Sequence, residues 1–225
     1  MIIGINIDGT DTLDAYGMML CDDLRIASPE PRLTYIEIPG ADGALDLSDA
    51  LTGGVSYQMR EITFSLFAAH DIIAGTRTPA TEAHFSEIRR RMYLDLHGKK
   101  VKLWTPDDPD HYYLGRIRLG EKAGYNSGML EVSMEAQPWH YKNSVTTKRV
   151  SVNASDILFQ NEQMPTQPTF TVATGGARIV YKGRTYNLLA GDNIFPAVIL
   201  TAGENRISFA SVSDPITITW QEASL

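Results

Sequence analysis

Residues 36–66 read IEIPGADGALDLSDALTGGVSYQMREITFSL and join two strand-like runs through an unusual connection. The first run, residues 33–38, and the second, residues 61–68, alternate apolar and polar side chains as antiparallel strands do. The connection, residues 39–59, is rich in Gly, Ala, Asp and Ser and contains no His, Cys, Lys or Arg. A connection this long without secondary structure is usually functional or disordered. Because it brings small residues and negative charge but no His, Cys, Lys or Arg, we expect it to make contacts rather than to do chemistry.

Composition indicates a packed protein of one large or two ordinary domains. The 225 residues are 43% apolar and 21% charged, which favours a folded core over disorder. No apolar run approaches the ~20 residues that cross a bilayer, and MIIGINIDGTDT at the start does not resemble a secretory signal. The single cysteine, Cys21, excludes an intrachain disulfide and a thiolate zinc site, and we expect it to be buried.

Negative charge is concentrated in the first quarter of the chain. Residues 1–54 contain ten acids and two bases, a net charge of −8, whereas residues 144–225 contain six of each and are neutral. Two short basic clusters, within residues 89–91 and 99–102, are interpreted as the solvated face and the C-terminal end of a helix. Without a larger basic face, we expect no specific binding of nucleic acid.

One segment departs from the strand pattern. Residues 78–99, TPATEAHFSEIRRRMYLDLHGK, place apolar side chains at helical spacing, namely Phe85, Ile88, Met92 and Leu96. Thr81 is suited to cap the N-terminus of this helix, and Gly98 lies just past its end. The sequence therefore predicts one helix, near residues 82–97, lying on a sheet.

From residue 144 onward the sequence predicts only strands. Their spacing of about ten residues is typical of a β-sandwich, and Lys182-Gly183 predicts a two-residue hairpin turn. We find no internal repeat in either half of the chain. Since charge balance and helix content both change within residues 141–147, the predicted domains are 1–143 and 144–225. The predicted fold is mainly β: an antiparallel, sandwich-like or barrel-like N-terminal α+β domain, followed by a C-terminal β-sandwich.

A search for chemistry gives a negative result. The GxSxG, HExxH, P-loop and GxGxxG motifs are all absent, and the five histidines lack metal-ligand spacing. Asp8, Asp11 and Asp14 do not match a calcium loop and predict a loop with Asx turns. The acids of residues 105–113, TPDDPDHYY, are bracketed by prolines and predict a hairpin connection. We therefore predict no catalytic residue, no cofactor and no metal site.

The motifs together resemble the distal tail proteins of phages with long, non-contractile tails and of related prophages. They are residues 36–66, a helix ending in DLHGKKVKL, and then TPDDPDHYYLGRI and LEVSMEAQPWHY. The resemblance covers residues 1–141 well and extends more weakly to the C-terminal strands, which contain GENRISFAS and ITITW. It implies that the protein is not an enzyme and that the C-terminal β-sandwich is galectin-like.

The resemblance also implies a structural hub of the tail tip or baseplate. Proteins of that family form a six-membered ring at the distal end of the tail tube. The implied partners are further copies of the chain, the tail tube protein, the tape-measure protein and the tail-associated, receptor-binding proteins. The implied location is the virion tail tip, and the host cytoplasm before assembly. The alternative is a carbohydrate-binding module that attaches to host surface glycans through the C-terminal domain. A glycosidase is a third interpretation, without a marked acid pair.

The connection supplies the candidate ring contacts. An extended arm can become ordered on a neighbouring protomer, and such contacts close into a ring where the rotation permits. The candidate contact residues are Pro39, Gly40, Ala44, Leu45, Leu47 and Leu51. A negative ring lumen would repel DNA, and its candidate lining residues are Asp42, Asp46 and Asp49. The alternative is an ordinary long loop packed on its own domain.

Overall fold

The computed structural model describes residues 3–50, 54–68, 82–122, 128–151, 155–212 and 214–225. The chain forms two compact units, Met1–Pro138 and Trp139–Leu225, which we describe separately. Both are built mainly from antiparallel strands, which confirms the predicted fold class. The predicted domains 1–143 and 144–225 remain a prediction.

The first unit is built on a curled sheet. Its elements are β1 (Asn6–Ile7), β2 (Thr10–Asp11), α1 (Thr12–Tyr16), β3 (Met18–Leu20), β4 (Arg25–Ile26), β5 (Tyr35–Glu37), β6 (Ala44–Asp46), β7 (Arg60–Ala68), α2 (Glu82–Leu96), β8 (Lys100–Thr105), β9 (Asp108–Lys122) and β10 (Met129–Lys142), whose last four residues belong to the second unit. Seven strands pair in the order β2-β1-β8-β9-β10-β7-β3, and β4 also pairs with β7. β5 and β6 form a separate two-stranded sheet.

The core of the first unit lies between one face of this sheet and helix α2. Alternate side chains of β7 and β10 are buried, including Phe64 and Val132. The helix lies close to the predicted limits, and Phe85, Met92 and Leu96 on one face are buried as the spacing indicated. Gly98 follows its last turn with a positive φ of 74°, a conformation that glycine adopts readily. The predicted cap, Thr81, lies outside the described residues.

A short second helix, α1, was missed by the sequence analysis. Asp8 and Gly9 both have positive φ and form the tight turn between β1 and β2, within the segment where we expected a loop with Asx turns. Asp11 then caps α1, because its carboxylate accepts hydrogen bonds from the backbone N–H groups of Leu13 (2.8 Å) and Asp14 (3.3 Å). The apolar content of this five-residue helix is too low for a periodicity signal. Cys21, expected to be buried, is only half-buried.

The second unit contains two four-stranded antiparallel sheets around one apolar core. Its strands are β11 (Thr146–Val150), β12 (Asp156–Asn161), β13 (Thr169–Val172), β14 (Arg178–Tyr181), β15 (Arg184–Asn187), β16 (Gly191–Ile194), β17 (Gly203–Ala210), β18 (Ile216–Trp220) and β19 (Ala223–Ser224). The sheets have the orders β11-β18-β13-β16 and β12-β17-β14-β15, and β19 pairs with His140 and Tyr141. Lys182 and Gly183 form the predicted hairpin turn between β14 and β15, both with positive φ.

A short internal repeat in the second unit corrects our expectation that none exists. Residues 188–193, LLAGDN, and residues 200–205, LTAGEN, adopt the same turn before β16 and β17. Each turn ends in a buried Asn, Asn193 or Asn205. Its side-chain oxygen accepts a hydrogen bond from the backbone N–H of the residue four positions earlier, and its side-chain nitrogen donates to the carbonyl of that same residue, at 2.7–2.9 Å. Each side chain also donates to the carbonyl of the glycine two positions earlier. One buried amide thereby satisfies three backbone groups of a turn.

A buried carboxylate, Glu222, lies near the C-terminal end of the second unit. Its side chain is 9% exposed and accepts hydrogen bonds from Lys142 Nζ (3.1 Å) and Thr146 Oγ1 (2.6 Å). Burial by itself raises the pKa of Glu222, but Thr146, Lys142 and Trp220 together hold that pKa below its ordinary value. The hydrogen bond and the charge of Glu222 in turn raise the pKa of Lys142.

Candidate functional site

The connection quoted from the sequence is an exposed arm of the first unit. We define the arm as residues 27–50 and 54–59, the described residues between β4 and β7. None of them is buried, and residues 30–46 are exposed without interruption. Among the described residues, the arm therefore contributes no fully buried side chain to a core.

The base of the arm is an irregular two-stranded ladder. Ala27 N–H donates to the carbonyl of Glu61 (2.9 Å), and Gln58 N–H donates to that of Glu30 (2.8 Å). Further out, Arg32 N–H donates to the carbonyl of Ser56 at 2.7 Å. These bonds hold the backbone of the arm as it leaves the sheet, although no side chain of the arm is buried there.

The outer part of the arm is the β5–β6 hairpin. Tyr35, Ile36 and Glu37 lie opposite Asp46, Leu45 and Ala44 respectively, and Leu47 N–H extends the ladder to the carbonyl of Thr34 at 2.9 Å. Residues 39–43, PGADG, form its tip, where Gly40 and Gly43 have φ of 82° and 79°. Only glycine takes this left-handed conformation without strain, so the two glycines allow the chain to reverse.

One face of the hairpin is apolar. Directly opposed residues of an antiparallel pair lie on the same face, and so do residues two apart along a strand. Ile36 and Leu45 lie directly opposite each other. Ile38 comes two residues after Ile36, and Leu47 comes two residues after Leu45, so the four aliphatic side chains share one face. Ile36, Ile38 and Leu45 remain 48–50% exposed. We call this set the apolar face.

The opposite face of the hairpin is acidic. It carries Tyr35, which is 57% exposed, Glu37, Ala44 and Asp46. Ser48 donates hydrogen bonds to the Asp46 carboxylate from its hydroxyl (2.5 Å) and its backbone N–H (2.9 Å), and these lower the pKa of Asp46. This carboxylate is therefore negative at any pH near neutrality. We call this set the acidic face.

A buried arginine stands where the arm joins the sheet. Arg60, the first residue of β7, is 5% exposed and donates to the carbonyl of Pro138, while its guanidinium lies over the Tyr113 ring at 5.2 Å. Desolvation lowers the pKa of Arg60, and it also raises the pKa of the Tyr113 hydroxyl. The Nε–H of Arg60 has no hydrogen-bond partner among the described residues. The site is therefore a structural anchor with one unpaired donor.

The structure brings most of the sequence-derived candidates together. Pro39 and Gly40 lie at the hairpin tip, Ala44 and Leu45 in β6, and Leu47 one residue beyond β6. The three acidic candidates also belong to the arm, with Asp42 in the tip, Asp46 at the end of β6 and Asp49 in the turn that follows. Leu51 lies outside the described residues.

Sequence reasoning missed the other half of the hairpin. The exposed side chains of β5 and its neighbours, Leu33, Tyr35, Ile36 and Ile38, were read only as a strand and not as contact residues. Alternation showed that a strand forms there. It could not show that both of its faces are exposed, because exposure depends on which elements pack against it.

Neither a metal-binding cluster nor a membrane-spanning helix is found in the described ranges of the chain. Among those residues, no group of three or more His, Cys, Asp or Glu side chains is placed to hold a metal ion. None of the described helices has the length and apolarity needed to cross a membrane.

Comparisons with known proteins agree with the mainly β fold. No sequence-family model and no curated protein matches the chain. Among solved structures, the chain is similar to the SPP1 Dit (gp 19.1) protein, which is described as a paradigm of the hub adsorption apparatus in phages that infect Gram-positive bacteria. The match has a TM-score of 0.66 and 17% identity, and it covers 99% of each chain. The chain therefore shares the fold of SPP1 Dit, which confirms at the level of the fold the resemblance that the motifs predicted.

Proposed function

We propose that this protein is a structural, non-enzymatic hub of a phage tail tip. In this proposal it forms a ring of six copies that joins the tail tube to the proteins that recognise the host. The shared fold with a phage hub protein supports the class of function. The single observation that supports ring formation is the arm, on whose apolar face Ile36, Ile38 and Leu45 remain 48–50% exposed.

The physical argument starts from the apolar face. Monomeric proteins rarely expose large contiguous apolar patches, and those that do usually use them for binding. A protruding hairpin also has free backbone groups at its edges, which favours pairing with another chain. An arm on one copy that contacts a different surface on the next copy makes a head-to-tail interface, and such interfaces generate closed rings when the rotation permits.

Of the three acidic candidates, Asp42 and Asp49 would line the lumen of this ring, whereas Asp46 belongs to the acidic face of the hairpin. Asp42 and Asp49 are exposed, and the first 54 residues carry a net charge of −8, from ten acids and two bases. A negative lining would repel phosphates and let DNA pass without adhering. Replacing Asp42 and Asp49 with Lys should slow DNA ejection from assembled particles. Unchanged ejection would remove this role.

The remaining partners follow from the position of a hub. The two open surfaces of the ring would contact the tail tube and tape-measure proteins on one side and the tail-associated, receptor-binding proteins on the other. The protein would be synthesised in the host cytoplasm and end in the virion tail tip.

Glycan binding by the second unit is less favoured, because Trp220, a potential sugar-stacking ring, is 4% exposed and packs on Phe159 at 5.8 Å.

Removal of the hairpin tests the proposal. In the test variant, residues 33–49 are replaced by a short Gly-Ser turn, and a matched variant replaces the exposed Leu189 in the second unit with Ser. We expect wild type and Leu189→Ser to form a six-copy species at high concentration, and the hairpin deletion to remain monomeric with an unchanged melting temperature. Native mass spectrometry and sedimentation velocity from micromolar to millimolar concentrations give the readout. A wild-type chain that stays monomeric throughout would overturn ring formation.

A further inference from the structure

The acidic face of the hairpin needs a partner that the apolar face does not explain. The two faces point in opposite directions from one thin ladder, so a surface that covers one leaves the other uncovered. We propose that the acidic face docks on a basic strip formed by β8 and β9 of a second copy of this chain. The inference rests on the proposed function, and it names the acceptor surface within the ring.

The basic strip lies on the outer face of the main sheet. In β8, Val101 and Leu103 are buried in the core, so the alternate residues Lys100 and Lys102 point to the other side. In β9, Ile117 and Leu119 are buried, and the outer face carries three side chains, Leu114, Arg116 and Arg118. The register places Lys100 opposite Arg116 and Lys102 opposite Leu114. Four cations thus share one face of two neighbouring strands, around a half-buried Leu114.

This arrangement places two cations, Lys100 and Arg116, directly opposite each other. Cations placed directly opposite one another in a ladder repel, and an isolated sheet gains nothing from the pairing. None of the ion pairs between described residues includes any of the four cations. Lys102 instead lies over the Tyr112 ring at 4.3 Å, and Arg116 donates to the carbonyl of Gly98. The strip therefore suits an external anion.

The acidic face matches this strip in charge and in spacing. Glu37 and Asp46 are diagonal neighbours on one antiparallel ladder, and Lys100, Lys102 and Arg116 occupy the same kind of lattice on another. Diagonal Cα atoms of such a ladder lie roughly 7–8 Å apart, so both sets repeat at similar distances. Two sheets pack face to face at ~10 Å, which long Lys and Arg side chains span easily. Tyr35 adds an aromatic ring that favours cations.

The other basic cluster of the first unit is a weaker acceptor. On α2, Arg91 is within 3.9 Å of Asp95 and lies over the Tyr16 ring at 5.2 Å. Arg89 lies over Tyr93 at the same distance. Since these arginines already have partners within their own chain, docking there would replace existing contacts rather than satisfy unpaired charges. On the strip, none of the four cations is within ion-pair distance of a described carboxylate, although Glu135 of β10 lines a common pocket with Arg118.

Charge reversal tests the inference. The double variant Lys100→Glu/Arg116→Glu places carboxylates opposite Glu37 and Asp46, and we expect the midpoint concentration of ring assembly to rise at least about tenfold. A second variant, Lys100→Glu/Lys102→Glu, keeps the hydrogen bond from Arg116 to the carbonyl of Gly98, so it should fold even if the first variant folds poorly. Because it also reverses two charges of the strip, it should weaken assembly. The matched control, Arg178→Glu/Arg184→Glu, reverses two exposed cations on neighbouring strands of the second unit and should assemble normally.

Restoration gives the sharpest readout. The variant Glu37→Lys/Asp46→Lys should fail to assemble alone, and a chain that carries these two changes together with Lys100→Glu/Arg116→Glu should assemble again. Melting temperatures measured beside sedimentation velocity separate misfolding from lost docking. If wild type forms rings and both strip variants assemble as well as the control, the inference is wrong while the proposed function stands. If wild type stays monomeric up to millimolar concentration, the proposed function itself is wrong.

Discussion

The arm and strand β7 are consecutive in the chain and alike in their sequence pattern, but the apolar side chains of β7 are buried whereas those of the arm are exposed. In β7, Ile62, Phe64 and Leu66 are at most 2% exposed because helix α2 and neighbouring strands cover them. In the hairpin, Ile36 and Leu45 are 48–49% exposed, although they alternate in the same way. Alternation therefore specifies a strand, whereas burial depends on what the rest of the protein supplies.

This difference carries an energetic consequence for assembly. Full burial of an aliphatic side chain contributes ~1.5–3 kcal/mol, so completing the burial of a half-exposed one contributes about half as much. The four side chains of the apolar face could together contribute ~3–6 kcal/mol to association. That gain must offset the loss of rotational and translational freedom, which is estimated at ~4–15 kcal/mol. Because this gain lies at the low end of that cost, we expect further contacts, such as charge pairs, to contribute to the ring.

Truncating a core side chain of β7 should give the largest effect on folding. Phe64→Ala removes a ring that is 2% exposed, and we expect the free energy of unfolding to fall by ~3–5 kcal/mol because a cavity remains. The matched change in the hairpin, Ile36→Ala, should alter it by less than ~0.5 kcal/mol. Urea titration of both variants at low micromolar concentration measures the contrast. Equal losses would show that the arm packs on its own chain.

The repeated turns of the second unit extend the comparison to buried polar groups. Asn205→Ala leaves the N–H and C=O of Thr201 and the carbonyl of Gly203 without their partner, so we expect a loss of ~1–3 kcal/mol in the free energy of unfolding. Asn193→Ala should cost a similar amount, because its bonds are the same in kind. Thermal unfolding of the two variants would show whether the turns are energetically equivalent. A change within error of wild type in both would contradict the role of the buried amides.

The parts of the fold that local sequence governs were predictable. Helix α2 was visible because four apolar residues repeat on one face, and the turn at Lys182-Gly183 was visible because few residues tolerate positive φ. Helix α1 was not, because five residues held by one capping carboxylate leave no periodic signal. The turns ending in Asn193 and Asn205 were missed as well, since a six-residue similarity stands out only once both asparagines are seen to be buried.

The candidate site was predictable in part. Composition predicts that the connection, residues 39–59, is a contact segment, because it carries no His, Cys, Lys or Arg. The opposition of Ile36 to Leu45 and of Tyr35 to Asp46 requires the register of the hairpin, which the sequence does not state. The basic strip was equally hidden, since Lys100 and Arg116 are sixteen positions apart and meet only through the pairing of β8 with β9.

A smaller effect is expected at the buried carboxylate of the second unit. Glu222→Gln should lower the free energy of unfolding by ~1 kcal/mol at pH 7, because a charge-assisted bond to the partly exposed Lys142 is lost. The folded-state pKa of Glu222 is lowered, so its contribution is complete above the unfolded pKa of ~4.3 and is lost as the pH falls through the folded-state value. The folded-state pKa of Lys142 is raised. The stability that its positive charge contributes is therefore complete below the unfolded pKa of ~10.4 and is lost as the pH rises through the folded-state pKa.

Denaturant titrations between pH 3 and pH 9 would measure this difference between wild type and variant. It should be constant from about pH 5 to pH 9 and shrink below about pH 4. The matched control is Glu162→Gln, whose carboxylate is 35% exposed and 3.8 Å from Lys142 Nζ, and it should cost at most ~0.5 kcal/mol. A difference that does not vary with pH would show that Glu222 acts through packing rather than charge.

The smallest effect on folding is expected at the apolar face, where the effect on assembly should be large. Leu45→Ser exchanges a side chain that is 49% exposed and opposite Ile36, so the monomer should lose less than ~0.5 kcal/mol of unfolding free energy. In the ring the same change leaves a hydroxyl against an apolar surface and removes part of the area that drives association. Ala44→Ser, on the opposite face, is the matched control. If both variants assemble like wild type while remaining equally stable, the apolar face is not a subunit contact, and a different partner must account for its exposure.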